Sequence, residues 1–119
     1  MSDEFIEIAT HEINDEILKI QKIMNSCHDS NDVFENMASI QQSTHKIKGL
    51  APMMGKSNLG NLASSLDVLF KQISDDSIPA ELFELLMVVV VEMKNSMASS
   101  NYDLDKILQR ISEMSSAHK

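Results

Sequence analysis

Leu82-Phe83-Glu84-Leu85-Leu86-Met87-Val88-Val89-Val90-Val91-Glu92-Met93 is the stretch that decides the fold class. Four consecutive Val, taken alone, favour a buried strand, because β-branched side chains suit a pleated backbone. The flanks point elsewhere. Leu82, Phe83, Leu86, Met87, Val90, Met93 and Met97 recur at steps of three and four, the period of a helix buried over a wide face. The uninterrupted apolar part, Leu85 to Val91, lies between Glu84 and Glu92 and is far shorter than the roughly 20 residues of a membrane span, so it reads as core.

The same period extends outward in both directions. Upstream, Ser77 caps this helix with Pro79 in its first turn, and Asp75 to Ser77 closes a preceding helix that starts at Ser57 or Asn58 and carries Leu59, Leu62, Leu66, Leu69 and Ile73. Before that, Asn31 or Asp32 caps a helix with Val33, Met37, Ile40, Thr44, Ile47, Ala51 and Met54 turned inward, ended by Gly55. The first helix runs from about Asp3 to Ser26, with Ile6, Ala9, Ile13, Ile17, Ile20 and Met24 on one face. Downstream, Ser99-Ser100-Asn101 separates a fifth, short helix bearing Leu104, Ile107, Leu108 and Ile111. Short loops between long amphipathic helices predict an all-α fold: an antiparallel up-down four-helix bundle with a fifth short C-terminal helix, one domain over residues 1–119.

Composition agrees and narrows the function classes. With 119 residues, 43% hydrophobic and only 4% aromatic, the core must be built from Ile, Leu, Val and Met. Three Gly and two Pro are too few for a many-stranded sandwich, or for a glycine-rich nucleotide loop with its own sheet. A net charge of −8 repels nucleic-acid phosphates and anionic membranes. The single Cys27 allows neither an internal disulfide nor a Cys-based zinc site, and the acidic amphipathic start lacks a secretory signal; both fit a reducing cytoplasm.

The chemistry lies in Thr44-His45-Lys46-Ile47-Lys48-Gly49-Leu50-Ala51-Pro52-Met53-Met54-Gly55. If Ile40, Thr44, Ile47 and Ala51 face inward, His45 faces solvent one turn below Lys48 and Gly49. Gly in a helix interior costs about 1 kcal/mol against Ala, so Gly49 calls for a reason, such as the close approach of a bulky group or another protein's backbone. Neutral imidazole is a good nucleophile, and Lys48 is placed to offset charge on a phosphoryl group attached to it. An ordinary surface histidine with a chance lysine three residues on is the competing explanation, and Gly49 weighs against it.

The pattern His45-x-x-Lys48-Gly49-x-x-x-x-x-Gly55 resembles the signature of histidine phosphotransfer domains, most closely the N-terminal phosphotransfer domains of CheA-type chemotaxis kinases. Leu62, Ser64, Asp67 and Leu69 are similar to that family's next helix, where Leu, His, Glu and Leu stand at the same spacing, and chain length and helix order match throughout. The resemblance implies that His45 takes a phosphoryl group from ATP through a separate histidine kinase catalytic domain and passes it to an aspartate of a response-regulator receiver domain. It implies that Lys48 holds the phosphate and that Asp67, in place of Glu, accepts a hydrogen bond from the other imidazole nitrogen and fixes the tautomer. Ser64 replaces a second His of that network. Pro52 replaces a small residue; it removes the amide that would bond the Lys48 carbonyl, and either bends the helix there or joins an apolar patch on which a regulator docks.

No cofactor or metal is implied. Glu7, His11 and Asp15 are spaced four apart on one face of the first helix, but a solvated acidic face accounts for them, and no Glu-x-x-His pair suggests a di-metal bundle. His28 and His118 read as surface histidines, and the nine Met as core filler. Two functions stand side by side: a monomeric cytoplasmic phosphotransfer module with no kinase machinery of its own, and a non-catalytic helical adaptor that binds partners through acidic faces with His45 incidental.

Overall fold

In the computed structural model, which describes residues 2–118, every regular element is helical. The helices are α1 (Asp3–Ser26), α2 (Ser30–Glu35), α3 (Met37–Leu50), α4 (Ser57–Gln72), α5 (Leu82–Ala98) and α6 (Asp105–Ala117), with a 3₁₀ turn at Pro52–Met54 between α3 and α4. The valine run is helical, and its period is visible in its burial: Val89 and Val90 are buried, whereas Val91 is 56% exposed.

α3 packs against α1 on one flank and α4 on the other; α1 also packs on α5, and α4 on α6. One apolar cluster joins them through Ile13, Ile17 and Ile20 of α1, Ile40 and Ile47 of α3, Leu62, Leu66 and Leu69 of α4, Leu85, Leu86 and Val89 of α5, and Ile107 and Ile111 of α6. Truncating one of the fully buried leucines to Ala costs about 2–5 kcal/mol. Ile6, expected on the inner face of α1, is 38% exposed, and burial on that face begins at Ala9.

Several element boundaries differ from expectation, and each has a physical cause. The helix expected to run from Asn31 to Gly55 is broken at Asn36, whose backbone N–H reaches the carbonyls of Asp32 and Val33 at 3.2 and 3.1 Å while its side-chain amide donates to the Asp32 carbonyl at 2.9 Å. An Asn side chain competing for a helical carbonyl is a known helix breaker. The cap of α2 is Asp29, whose carboxylate accepts from Asp32 N–H at 2.9 Å, rather than Asn31 or Asp32 itself; Asp32 in turn accepts from His28 N–H at 2.8 Å.

Ser77 likewise does not start α5. Its N–H donates to the Ser74 carbonyl at 2.9 Å in a tight turn, and the helix begins five residues later at Leu82. The first turn of α5 is satisfied from across the molecule: Ser30 Oγ accepts from Phe83 N–H at 3.0 Å and donates to the Ala80 carbonyl at 2.9 Å.

Pro52 stops α3 rather than bending it. With no amide of its own, it serves as the first residue of the 3₁₀ turn, the position where a missing N–H costs least. Gly55 closes the turn at φ 78°, a left-handed conformation that favours glycine. The turn brings the Pro52 ring onto α4, where a Cβ built on Gly60 would lie 2.9 Å from Pro52 Cγ and 3.0 Å from Cδ. Gly60 is thus what lets α4 and the end of α3 meet.

Candidate functional site

α3 alternates its two faces residue by residue through the site. Ser43, Thr44 and Ile47 are buried, whereas His45, Lys46, Lys48 and Gly49 are exposed. The roughly 100° step between successive helical residues carries the chain from the α4 contact at Thr44 to solvent at His45. His45 sits in an open groove between α3 and α4, with Gln41, Lys46 and Lys48 from its own helix and Asp67 and Lys71 from α4.

Asp67 reaches the groove as expected, but its partner is different. Its Oδ1 accepts a hydrogen bond from Thr44 Oγ1 at 2.8 Å, and among the described residues no hydrogen bond joins it to His45. The reason is positional: Thr44 lies on the buried α3–α4 seam, one residue before the imidazole, and so stands nearer α4. The Thr44 hydroxyl also lies 3.2 Å from the Gln41 carbonyl, a second acceptor for its one proton, at a longer distance than Asp67. Ser64 is half-buried and does not line the groove.

Gly49 has no packing role. A Cβ added there would meet nothing within 4 Å, so the helix does not need glycine at this position for its own sake. Beyond it, Pro52 and the 47%-exposed Met53 continue the surface past Lys48 and Gly49.

The electrostatics of this face are opposite to those of the whole chain. Lys46, Lys48 and Lys71 surround His45, and Lys19 and Lys22 of α1 line an adjoining groove on the other flank of α3, so five of the ten basic residues gather here in a chain of net charge −8. Beneath them lies Glu16 of α1, 3% exposed, which accepts from Ser43 Oγ at 2.8 Å and pairs with Lys19 at 3.0 Å and Lys46 at 3.5 Å. Burial pushes the Glu16 carboxyl up, but the hydrogen bonds from Lys19 and Ser43 and the charges of Lys19 and Lys46 outweigh it and hold the group below its ordinary value.

Glu16 and Lys71 escaped the sequence reading, and Thr44, read there only as an inward residue, was not seen as the partner of Asp67. A signal for Glu16 exists: it stands three residues after Ile13 and four before Ile20, inside the buried stripe of α1. Lys71 lies four residues after Asp67 and therefore on the same face of α4.

The other candidates stay apart from this site. His11 pairs with Asp15 at 3.4 Å on the exposed face of α1, His28 with Asp32 at 3.5 Å, and His118 Nδ1 lies 2.9 Å from the Met114 carbonyl. Among the described residues no group of His, Cys, Asp or Glu is placed to hold a metal, and no helix is long and apolar enough to cross a membrane. Cys27 is buried, and its thiol is pushed up first by burial and then by the Asp32 charge, so it is a poor nucleophile. Comparison of the chain with protein-family models, curated proteins and solved structures finds no match to any of them.

Proposed function

We propose that this chain is a histidine phosphotransfer module of a two-component, chemotaxis-type pathway, built as an antiparallel up-down bundle, with His45 as the phosphoacceptor. The observation that carries the proposal is the exposed imidazole on α3, ringed by Lys46, Lys48 and Lys71 in an otherwise acidic chain. Gly49 supports it, because a glycine with no internal packing reason leaves room for something from outside.

In the first step, the lone pair of the outward ring nitrogen, the one not held by Asp67, attacks the γ-phosphorus of ATP held by a kinase catalytic domain. The bond to ADP breaks with its electron pair leaving on ADP, and the imidazole then loses the proton on its other nitrogen. In the second step, a carboxylate oxygen of a receiver-domain aspartate attacks the same phosphorus; the P–N bond breaks, its pair returns to the ring, and the ring takes up a proton. Lys48, one turn above His45, offsets the nearly two negative charges of the phosphoryl group in both steps. Asp67, anchored by Thr44, orients the imidazole from within the groove through its other carboxylate oxygen, across one water. Such a module works as a monomer in the cytoplasm, where ATP and both partners are found.

The test is incubation with a CheA-type kinase and radiolabelled ATP. Acid-labile, base-stable label that disappears in His45→Gln supports phosphotransfer. No label, under conditions that label a known phosphotransfer domain, supports the helical adaptor instead.

A further inference from the structure

The basic surface does not end at the groove that holds His45. Gln42 and Lys46 belong to two grooves at once: the one between α3 and α4, and a second between α1 and α3, lined by Glu16, Lys19, Lys22 and Ser39. Lys46 is the residue next to His45, so the second groove begins one residue along α3 from the reactive imidazole.

Its charge is arranged by a buried group. Glu16 is held ionised at neutral pH by Ser43 and by the two lysines it pairs with, and those contacts pin Lys19 and Lys46 at the two sides of the groove. Both lysines remain more than half exposed, at 58% and 53%. Lys22, exposed one turn along α1 from Lys19, forms no ion pair among the described residues. Three ammonium groups over one carboxylate leave an excess of positive charge that no further ion pair among the described residues offsets.

The groove's position selects between the two partners. Transfer away from His45 brings a carboxylate nucleophile against a phosphoryl group that carries nearly two negative charges. The two repel, and the α4 flank supplies only Lys71 together with a carboxylate of its own, Asp67. Cations on the α1 flank attract an approaching acidic protein surface and hold it while the reacting anions are pushed together. In a chain of net charge −8, this basic face is a place where such a surface gains on approach.

We propose that the α1–α3 groove of Lys19, Lys22 and Lys46 is a docking surface for the acceptor protein and binds a carboxylate-rich segment beside that acceptor's nucleophilic aspartate. The proposal rests on the phosphotransfer reading of His45.

Lys22→Glu and Lys19→Gln test it, since neither residue touches the imidazole. His45 is first labelled with phosphoramidate, a small phosphoryl donor that needs no docking, and separately by a CheA-type kinase. Transfer from the labelled protein to purified receiver domains is then followed at low salt and at about 0.5 M salt. Lys22→Glu is expected to lower kcat/KM for transfer by about tenfold, mainly through KM, and the deficit is expected to shrink at high salt. Lys19→Gln is expected to lower it by a few fold. Phosphoramidate labelling and helical circular dichroism should match the wild type. Unchanged transfer in both variants overturns the proposal, as does an equal loss of phosphoramidate labelling, which places the defect at His45 itself. A loss confined to labelling by the kinase also overturns it, by assigning the groove to the donor. A wild-type protein that takes label from neither source sinks the phosphotransfer reading itself, a result distinguishable from all of these.

Discussion

Gly49 and Gly60 stand on either side of Pro52, and their surroundings are opposite. A Cβ on Gly60 would press into the Pro52 ring at 2.9 Å, whereas one on Gly49 would meet only open space. Gly60 is explained from inside the molecule: without it α4 and the end of α3 cannot approach. Gly49 sits in the last turn of α3 at a propensity cost of about 1 kcal/mol with no internal return, so its reason has to lie outside the chain. The contrast separates residues that build this fold from residues that face a partner, and the substitutions below break or sharpen it.

The largest effect is expected at the centre of the outward face. His45→Gln should abolish phosphorylation by kinase and phosphoramidate alike, with circular dichroism and melting temperature unchanged, since the side chain is exposed. Gly49→Leu comes next. On the exposed face of a helix, Leu in place of Gly should raise stability by up to about 1 kcal/mol, while its side chain beside His45 lowers the rate of labelling by protein partners by tenfold or more. Full labelling by the kinase and full transfer to the receiver in a stable Gly49→Leu variant would show that this glycine does not provide access.

Gly60→Ala probes the inner side of the comparison. The added methyl must displace a ring that is itself fixed by the turn, at a cost of about 1–3 kcal/mol read as a lower melting temperature. Phosphoramidate labelling of the folded fraction should stay at the wild-type level. Combining it with Pro52→Ala should recover part of the loss, because the clash needs both partners; a double variant with strictly additive losses would show that the contact is not the cause.

The division between the two faces also governs what could be seen in the sequence. The bounds of α1 and the helical state of the valine run follow from three- and four-residue spacing, which is a local property. His45, Lys48 and Gly49 were legible as an exposed group for the same reason: once Thr44 and Ile47 face inward, the geometry of one helix places the rest. The break at Asn36 was hidden, because Val33, Met37 and Ile40 keep a helical period straight through it while a side-chain amide takes the carbonyl. The late start of α5 was hidden for another reason. Its cap, Ser30, lies 53 residues from Phe83 in the chain, and no local rule reaches that far. Thr44 as the partner of Asp67, and Glu16 beneath the lysines, are likewise products of helices meeting, which spacing within one helix does not report.

Smaller in effect is Lys48→Ala. It leaves the nucleophile and the fold intact but removes a cation next to a dianionic group, so labelling should slow by about tenfold while melting temperature stays within a degree or two. An unchanged rate would transfer the charge-offsetting role to Lys46 or Lys71, which line the same groove.

The smallest effect concerns the buried carboxylate, and its sign can be worked out. Glu16 is held below its ordinary value of 4.5 in the folded protein, so it binds a proton less readily folded than unfolded. Such a group adds stability at pH values above about 4.5, and that contribution is lost as pH falls through the lowered folded value. Glu16→Gln keeps the shape and can still accept from Ser43, but removes the charge that Lys19 and Lys46 share. The variant should therefore be less stable than wild type by about 1 kcal/mol at pH 7, a charged hydrogen bond being exchanged for a neutral one. As pH falls through that lowered value the two melting curves should converge, since the wild-type carboxyl is then protonated as well. Curves that stay parallel throughout the acid range would mean that the loss comes from packing, and that Glu16 does not act through its charge on the lysines that flank His45.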